Sequence, residues 1–170
     1  MSGERFSTSL WVMLRVGFGY DSHRFAPGRP LVLGGVRIEH DRGLGGHSDA
    51  DAVLHAITDA IMGAIGAGDI GEQFPDTDPA WAGADSATFV VHALKLAAAK
   101  GLSIVNCDVT VICQAPTLTP YKPAMRRRIA ELLATSEENV AVKAKTNEHM
   151  GWIGLGEGLA AMAVVTVGKR

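Results

Sequence analysis

The chain has 170 residues, 47 % hydrophobic and 20 % charged, a balance that suits one globular domain with a real core and excludes a disordered polymer. Its formal net charge of −2 gives nucleic acid and anionic membranes no electrostatic hold, and no apolar run reaches the ~18 residues of a membrane span. The only two cysteines, Cys107 and Cys113, lie in one strand-like run and read as reduced core residues of a cytoplasmic protein.

Met1–Val12 lacks the basic start and small-residue cleavage site of a secretory signal. Residues 1–14 therefore read as a partly frayed N-terminal extension, with Met13 as an alternative start, ahead of one domain over 15–170. Val12, Leu14, Val16 and Phe18 alternate with other residues and predict a strand ending at Gly19-Tyr20. Leu31 to Ile38 is a second β-like run, bulged or bent at Gly34-Gly35. Ser48-Asp49 supplies N-cap chemistry for a helix from about Ala50 to Ala67, with Leu54, Ile57, Ile61 and Ile65 as its core face. Gly66 and Gly68 end it. Gly71 to Gly83 is a polar, proline-bearing loop long enough to suggest function.

Asp85 or Ser86 caps a second helix that runs to Gly101. Val105, Cys107, Val109, Val111 and Cys113 alternate strictly as a strand that Pro116 terminates. Pro123 opens a third helix carrying Met125, Ile129, Leu132 and Leu133. Val140 to Lys145 is a short strand, and Leu159 to Val167 a final one. The order is not the βαβα beat of a doubly wound sheet. It predicts an α+β layer, a single mixed sheet with helices on one face. The last strand is apolar on both faces, and a homo-oligomer joined through the bare face would cover it.

The chemistry concentrates near the first strand. Asp21 and His23 stand two apart, so in extended backbone they point the same way. With His55 they make one carboxylate and two imidazoles, the ligand number of a catalytic zinc site with an open position. Asp51 and Asp59, one turn on either side of His55, are positioned to orient its ring. The residues alone leave a second reading open, with a packed histidine, a turn-forming Asp21 and aspartates that favour the helix start. His47 and Ser48 lie near that helix start, which attracts anions. Gly17-x-Gly19 lacks the third glycine of a dinucleotide fingerprint.

Four motifs follow in order. They are Gly17-Phe18-Gly19-Tyr20-Asp21-Ser22-His23; Gly46-His47-Ser48-Asp49-Ala50-Asp51 with His55; Gly68-Asp69-Ile70-Gly71 followed by Phe74-Pro75-Asp76-Thr77-Asp78; and Lys145-Thr146-Asn147-Glu148 followed by Gly151-Trp152. With them the chain, from about Arg15 to Lys169, resembles the 2-C-methyl-D-erythritol 2,4-cyclodiphosphate synthase family of the non-mevalonate isoprenoid pathway. Some members are bifunctional, with an added cytidylyltransferase domain for which 170 residues leave no room.

The resemblance implies roles residue by residue. Asp21, His23 and His55 correspond to zinc ligands, and Glu148 to the ligand of Mg²⁺ or Mn²⁺ at the substrate diphosphate. His47 and Thr146 correspond to residues that stabilise the transition state. Asp69, Ile70, Gly71, Phe74, Pro75, Asp76, Thr77 and Asp78 match a methylerythritol phosphate pocket. Cys113, Gln114, Ala115, Pro116, Thr117, Leu118 and Thr119, with Ala144, Lys145 and Thr146, match a cytidine pocket. Ser22, Ser48, Asn147 and Trp152 complete the implied substrate contacts. The family is a homotrimer around whose axis the sheet faces pack, with active sites between subunits. The implied substrate is 4-diphosphocytidyl-2-C-methyl-D-erythritol 2-phosphate, whose 2-phosphate attacks the β-phosphorus and expels CMP.

Competing readings are a zinc phosphoester hydrolase and a trimeric scaffold with a structural metal. The chain also departs from many bacterial relatives at Leu155 and Met162, where those have Arg and Glu lining a cavity on the trimer axis. That cavity is expected to be apolar here and to bind no isoprenoid diphosphate tightly. Micromolar binding of geranyl diphosphate by calorimetry would overturn that expectation.

Overall fold

Alternation in the first strand does not stop at Tyr20. In the computed structural model, which describes residues 13–169 apart from Asp76 and Ala82, strand β1 spans Leu14–Pro27. The readings made on Met1–Val12 and on Asp76 lie outside the described residues. β1 outlasts its apolar half because backbone pairing with β7 (Gly158–Gly168) runs unbroken from Leu14↔Gly168 to Arg24↔Gly158. Asp21 and His23 thus sit within a paired strand rather than at its end.

The Leu31–Ile38 run is a hairpin, β2 (Leu31–Leu33) and β3 (Val36–Ile38), and not one bent strand. Gly34 and Gly35 have φ of 60° and 70°, the left-handed pair that closes a two-residue hairpin turn. β4 (Arg42–Leu44) then adds to the edge of β1. With β5 (Ser103–Ile112) and β6 (Val140–Lys145) the main sheet has the order β4-β1-β7-β5-β6. Only β5 and β6 run parallel, so the sheet is mixed, as expected.

Helix α1 (Ala52–Ile65) lies along β1 and β7, with α3 (Ala87–Ala99) against it and α4 (Lys122–Leu132) beside β6. One face of the sheet, including Val109 and Val111 of β5 and Leu159, Ala161, Ala163, Val165 and Val167 of β7, is fully buried in this core. The other face shows Val16 at 65 % exposure and Phe18 at 61 %, with Tyr20, Val105 and Val164 also exposed. The two-sided apolar character of β7 therefore has helices on one side only.

The cap of α1 differs from the Ser48-Asp49 expected. Ala50 is left-handed (φ 60°) and Asp51 extended, so the helix starts later and Asp51 is the N-cap, accepting from Val53 N and Leu54 N. Its two oxygens also accept Gly34 N at 2.9 Å and Gly35 N at 2.7 Å, tying the hairpin to the helix start. Burial pushes this carboxyl up to about 6, against those backbone N–H groups, which favour the charge. Gly66 closes the helix in the left-handed region, as expected. The polar loop after it is shorter than the sequence suggests, because Asp69 caps a four-residue helix, α2 (Ile70–Gln73), and Pro79–Trp81 forms a 3₁₀ turn.

Candidate metal and substrate site

The site follows from how α1 lies on β1. The helix runs antiparallel to the strand, and Gly17 and Gly19 let it come so close that a Cβ would stand 1.8 Å from Ala60 O and 1.9 Å from Ala56 O. Two strand residues advance about 6.6 Å and four helix residues about 6 Å, so the two elements keep step. The next position on that strand face is Asp21, and the helix turn opposite it, Ala52 to Ala56, carries His55. Their contact is a consequence of the register.

Asp21 Oδ2 lies 3.1 Å from His55 Nδ1 and 2.8 Å from His23 Nδ1. The ligand atoms of Asp21, His23 and His55 all lie within 4.8 Å of one another, a group able to hold a metal ion. His23 Nδ1 is buried and, despite its closeness to Asp21, has no aligned hydrogen-bond partner. Such an orphaned ring nitrogen suits a metal ligand better than a hydrogen-bonded histidine. One oxygen and two imidazole nitrogens with a side left open fit a divalent transition metal such as zinc. Burial disfavours the Asp21 charge, yet the two imidazoles outweigh it and hold the carboxyl down at about 2.

Neither Asp51 nor Asp59 orients the His55 ring, contrary to expectation. Asp51 is the helix cap, and Asp59 Oδ1 accepts Ile70 N at 2.7 Å, anchoring α2. Instead Ser86 Oγ lies 2.9 Å and Ser48 Oγ 3.1 Å from His55 Nε2. Sequence reasoning missed Ser86 in this role because its position marked it as a helix cap. It also missed Arg29, whose guanidinium donates to the Gly46 and Ser48 carbonyls and pins the loop carrying His47.

A cavity of about 510 Å³ opens beside the three residues. Its lining includes His47, Ser48, Ile70, Gly71, Phe74 and Pro75 from the predicted set, with Trp81 and Phe89 added by the fold. Phe74 packs on Phe89 (ring centroids 4.5 Å), Trp81 (4.9 Å) and His92 (5.0 Å), which holds the loop against α3. Exposed His47 places Nε2 3.3 Å from Asp78 O. Asp69 is exposed and caps α2, and Thr77 is exposed in the same loop. On the other side of β1, Ser22 lines a smaller hollow with Trp152, which is carried by a one-turn helix, α5 (Gly151–Gly154).

The remaining predicted residues gather elsewhere. Cys113, Gln114, Pro116, Thr117, Leu118 and Thr119 line a separate hollow with Ala144, Lys145 and Thr146 at the ends of β5 and β6. Ala115 O accepts the Cys113 thiol at 2.9 Å, and Asn147 Nδ2 donates to Met150 O at 2.7 Å. Both cysteines are free and buried, and burial pushes Cys113 up to about 11 and Cys107 to about 12. Thr146 Oγ1 donates to Glu148 Oε1, and Glu148 and His149 hold left-handed backbone (φ 49° and 60°). β1 and β6 are three strand spacings apart in the sheet order, about 14 Å. In one chain Thr146 lines the hollow at β5 and β6 and not the cavity beside His23 and His55, and Glu148 lines neither.

Fold and site define an α+β protein with an Asp/His/His group, able to hold a metal, beside a cavity at one end of a mixed sheet. The YgbB family matches residues 14–168, and the chain belongs to that family. It is 55 % identical over 155 residues to 2-C-methyl-D-erythritol 2,4-cyclodiphosphate synthase of Symbiobacterium thermophilum, covering 91 % of this chain and 99 % of that one. It is 54 % identical over 157 residues to the bifunctional enzyme IspD/IspF of Erythrobacter litoralis, covering 92 % of this chain but 41 % of that relative. The chain thus spans less than half the length of such bifunctional relatives. Among solved structures, the IspF CDP complex of Plasmodium falciparum superposes with a TM-score of 0.81 at 34 % identity, covering 92 % of this chain and 97 % of that one.

Proposed function

We propose that the chain is a phosphorus–oxygen lyase that converts 4-diphosphocytidyl-2-C-methyl-D-erythritol 2-phosphate into 2-C-methyl-D-erythritol 2,4-cyclodiphosphate and CMP, in isoprenoid precursor synthesis in the cytoplasm. The observation that carries it is the Asp21/His23/His55 group beside the Ile70–Phe74 cavity, in a chain that matches a named synthase over nearly its full length. Among the described residues no helix is long and apolar enough to cross a membrane.

The nucleophile is a phosphate with a second pKa near ~6, already largely dianionic at neutral pH. It needs no strong base, which accounts for the lack of a base–nucleophile pair in the motifs. The difficulty is bringing one anion to another. Zinc on Asp21, His23 and His55, with Mg²⁺ or Mn²⁺ on Glu148, supplies Lewis acidity and charge neutralisation when bound. His47 and Thr146 stabilise the charge that develops at phosphorus. Ile70, Gly71, Phe74 and Pro75 hold the methylerythritol end, which fixes the 2-phosphate within reach of the β-phosphorus. The hollow at Gln114–Thr119 takes the cytidine, and the CDP held by the Plasmodium relative supports a cytidine diphosphate-linked ligand.

Because the two hollows are well apart in one chain, we assign the active site to the junction of two subunits in a homotrimer. The exposed face of β1 and β7 is the surface that would pack around its axis. Incubation of the purified chain with the diphosphocytidyl substrate, Zn²⁺ and Mg²⁺ tests the activity by phosphorus NMR and mass spectrometry. The expected products are CMP and a cyclic diphosphate, both lost together with bound zinc in His55→Ala. A linear phosphate product would mean a hydrolase instead.

A further inference from the structure

Ser86 stands at the N-cap of α3, where a serine hydroxyl normally accepts an N–H from the first helical turn. It makes no such bond. Asp85 Oδ1 takes Ala87 N at 2.8 Å instead, and Ser86 turns inward, fully buried. Its Oγ donates to Asp49 Oδ1 and lies 2.9 Å from His55 Nε2, while Asp49 Oδ2 accepts Ser86 N at 3.3 Å. A chain of contacts therefore runs from Asp49 through Ser86 to the far side of the His55 ring.

The protons along this chain are constrained. An ionised Asp49 only accepts, so the single Ser86 proton goes to it. The Ser86 oxygen then has only lone pairs to offer His55, which favours the imidazole proton on Nε2. Ser48 Oγ, 3.1 Å from the same Nε2 and already accepting Ala50 N, adds a second acceptor when its own proton is donated to Ser86 Oγ, 3.5 Å away. In a neutral ring Nδ1 is left with a lone pair that faces Asp21 Oδ2 at 3.1 Å. Two lone pairs meeting at that distance repel unless a cation lies between them.

We propose that Ser86 and Asp49 are positioning residues for the metal. Through the Ser86 hydroxyl they keep the His55 proton on Nε2 and present Nδ1 to the ion beside Asp21 and His23. The proposal rests on the metal site of the proposed function and assigns these two residues a part in it. A purely structural tie between the 47–51 loop and α3 would affect stability but neither metal affinity nor the tautomer.

The test compares the full chain with Ser86→Ala and Asp49→Asn. Zinc affinity is read by competition with a chromophoric chelator, and the His55 tautomer by long-range ¹H–¹⁵N spectra. In wild type the expected form with zinc bound is Nε2-protonated, and metal-free at alkaline pH the Nε2-protonated tautomer keeps a measurable share. Ser86→Ala should bind zinc about 10- to 100-fold more weakly and, metal-free, lose that share to the Nδ1-protonated tautomer that donates to Asp21. Wild-type affinity in both variants, or a zinc-loaded His55 protonated on Nδ1, would overturn the proposal. If Ser86→Ala does not fold, Asp49→Asn decides by the same affinity criterion. A wild-type chain that binds no zinc removes the metal site itself, whereas unchanged variants of a zinc-binding wild type remove only the positioning role.

Discussion

Asp21 combines two opposed effects at a single residue. Burial alone would raise its carboxyl, but His23 and His55 hold it near 2 against an ordinary 3.8. A depressed carboxyl stabilises the fold above its unfolded value and loses that contribution as pH falls through the folded one. In metal-free protein this amounts to about 2 kcal/mol, present above pH 3.8 and lost on acidification towards pH 2. Asp21→Asn should flatten the acid limb of a pH series of urea denaturations over that window. An equally steep limb in the variant would show that other carboxylates dominate acid unfolding. The carboxylate–imidazole set was legible in the sequence because period two puts Asp21 and His23 on one face. The partners of His55 were not legible, because Ser86 reaches it from a helix 31 residues away.

At the scale of elements, the fit of α1 on β1 sets the site. Gly17 and Gly19 are needed for close approach and not for an unusual backbone angle, since a Cβ at either would meet helix carbonyls within 2 Å. Gly19→Ala must push α1 outward or twist β1. We expect a loss of about 3 kcal/mol, at the upper end for overpacking, read as a lower midpoint in urea. The same displacement carries His55 away from Asp21, so zinc affinity should fall as well. A variant with full stability and full zinc binding would mean that the interface yields elsewhere. The two glycines were in view in the sequence as part of the first motif, but the delayed helix start was not, because Ser48, Asp49 and Asp51 all have cap chemistry. The choice of Asp51 rests on the hairpin N–H groups of Gly34 and Gly35, which local sequence does not reveal.

For the whole molecule, the decisive feature is the uncovered apolar face. Val16, Phe18 and Tyr20 of β1 and Val164 of β7 form a patch too apolar to be left in water at no cost, and Leu155, between α5 and β7, is 72 % exposed. Under the proposed trimer, Phe18→Asp should yield monomers or dimers by sedimentation velocity. Turnover should vanish with the assembly while each monomer keeps its secondary structure by circular dichroism, because the two hollows would no longer meet. An active monomer would refute the assignment of the site to two subunits.

Sequence alone determined the types of the longer helices and strands, the α+β mixed sheet, the Asp/His/His set and the two-sided apolar strand. Each depends on a period of two or of 3.6, or on residues close together in the chain, and such patterns are written locally. The tertiary structure alone decided which groups meet His55, which aspartate caps α1, and that the two predicted substrate hollows lie three strands apart. Those outcomes depend on register between distant segments and on which buried N–H groups need an acceptor. Backbone pairing and close packing settle both only when the whole chain is folded.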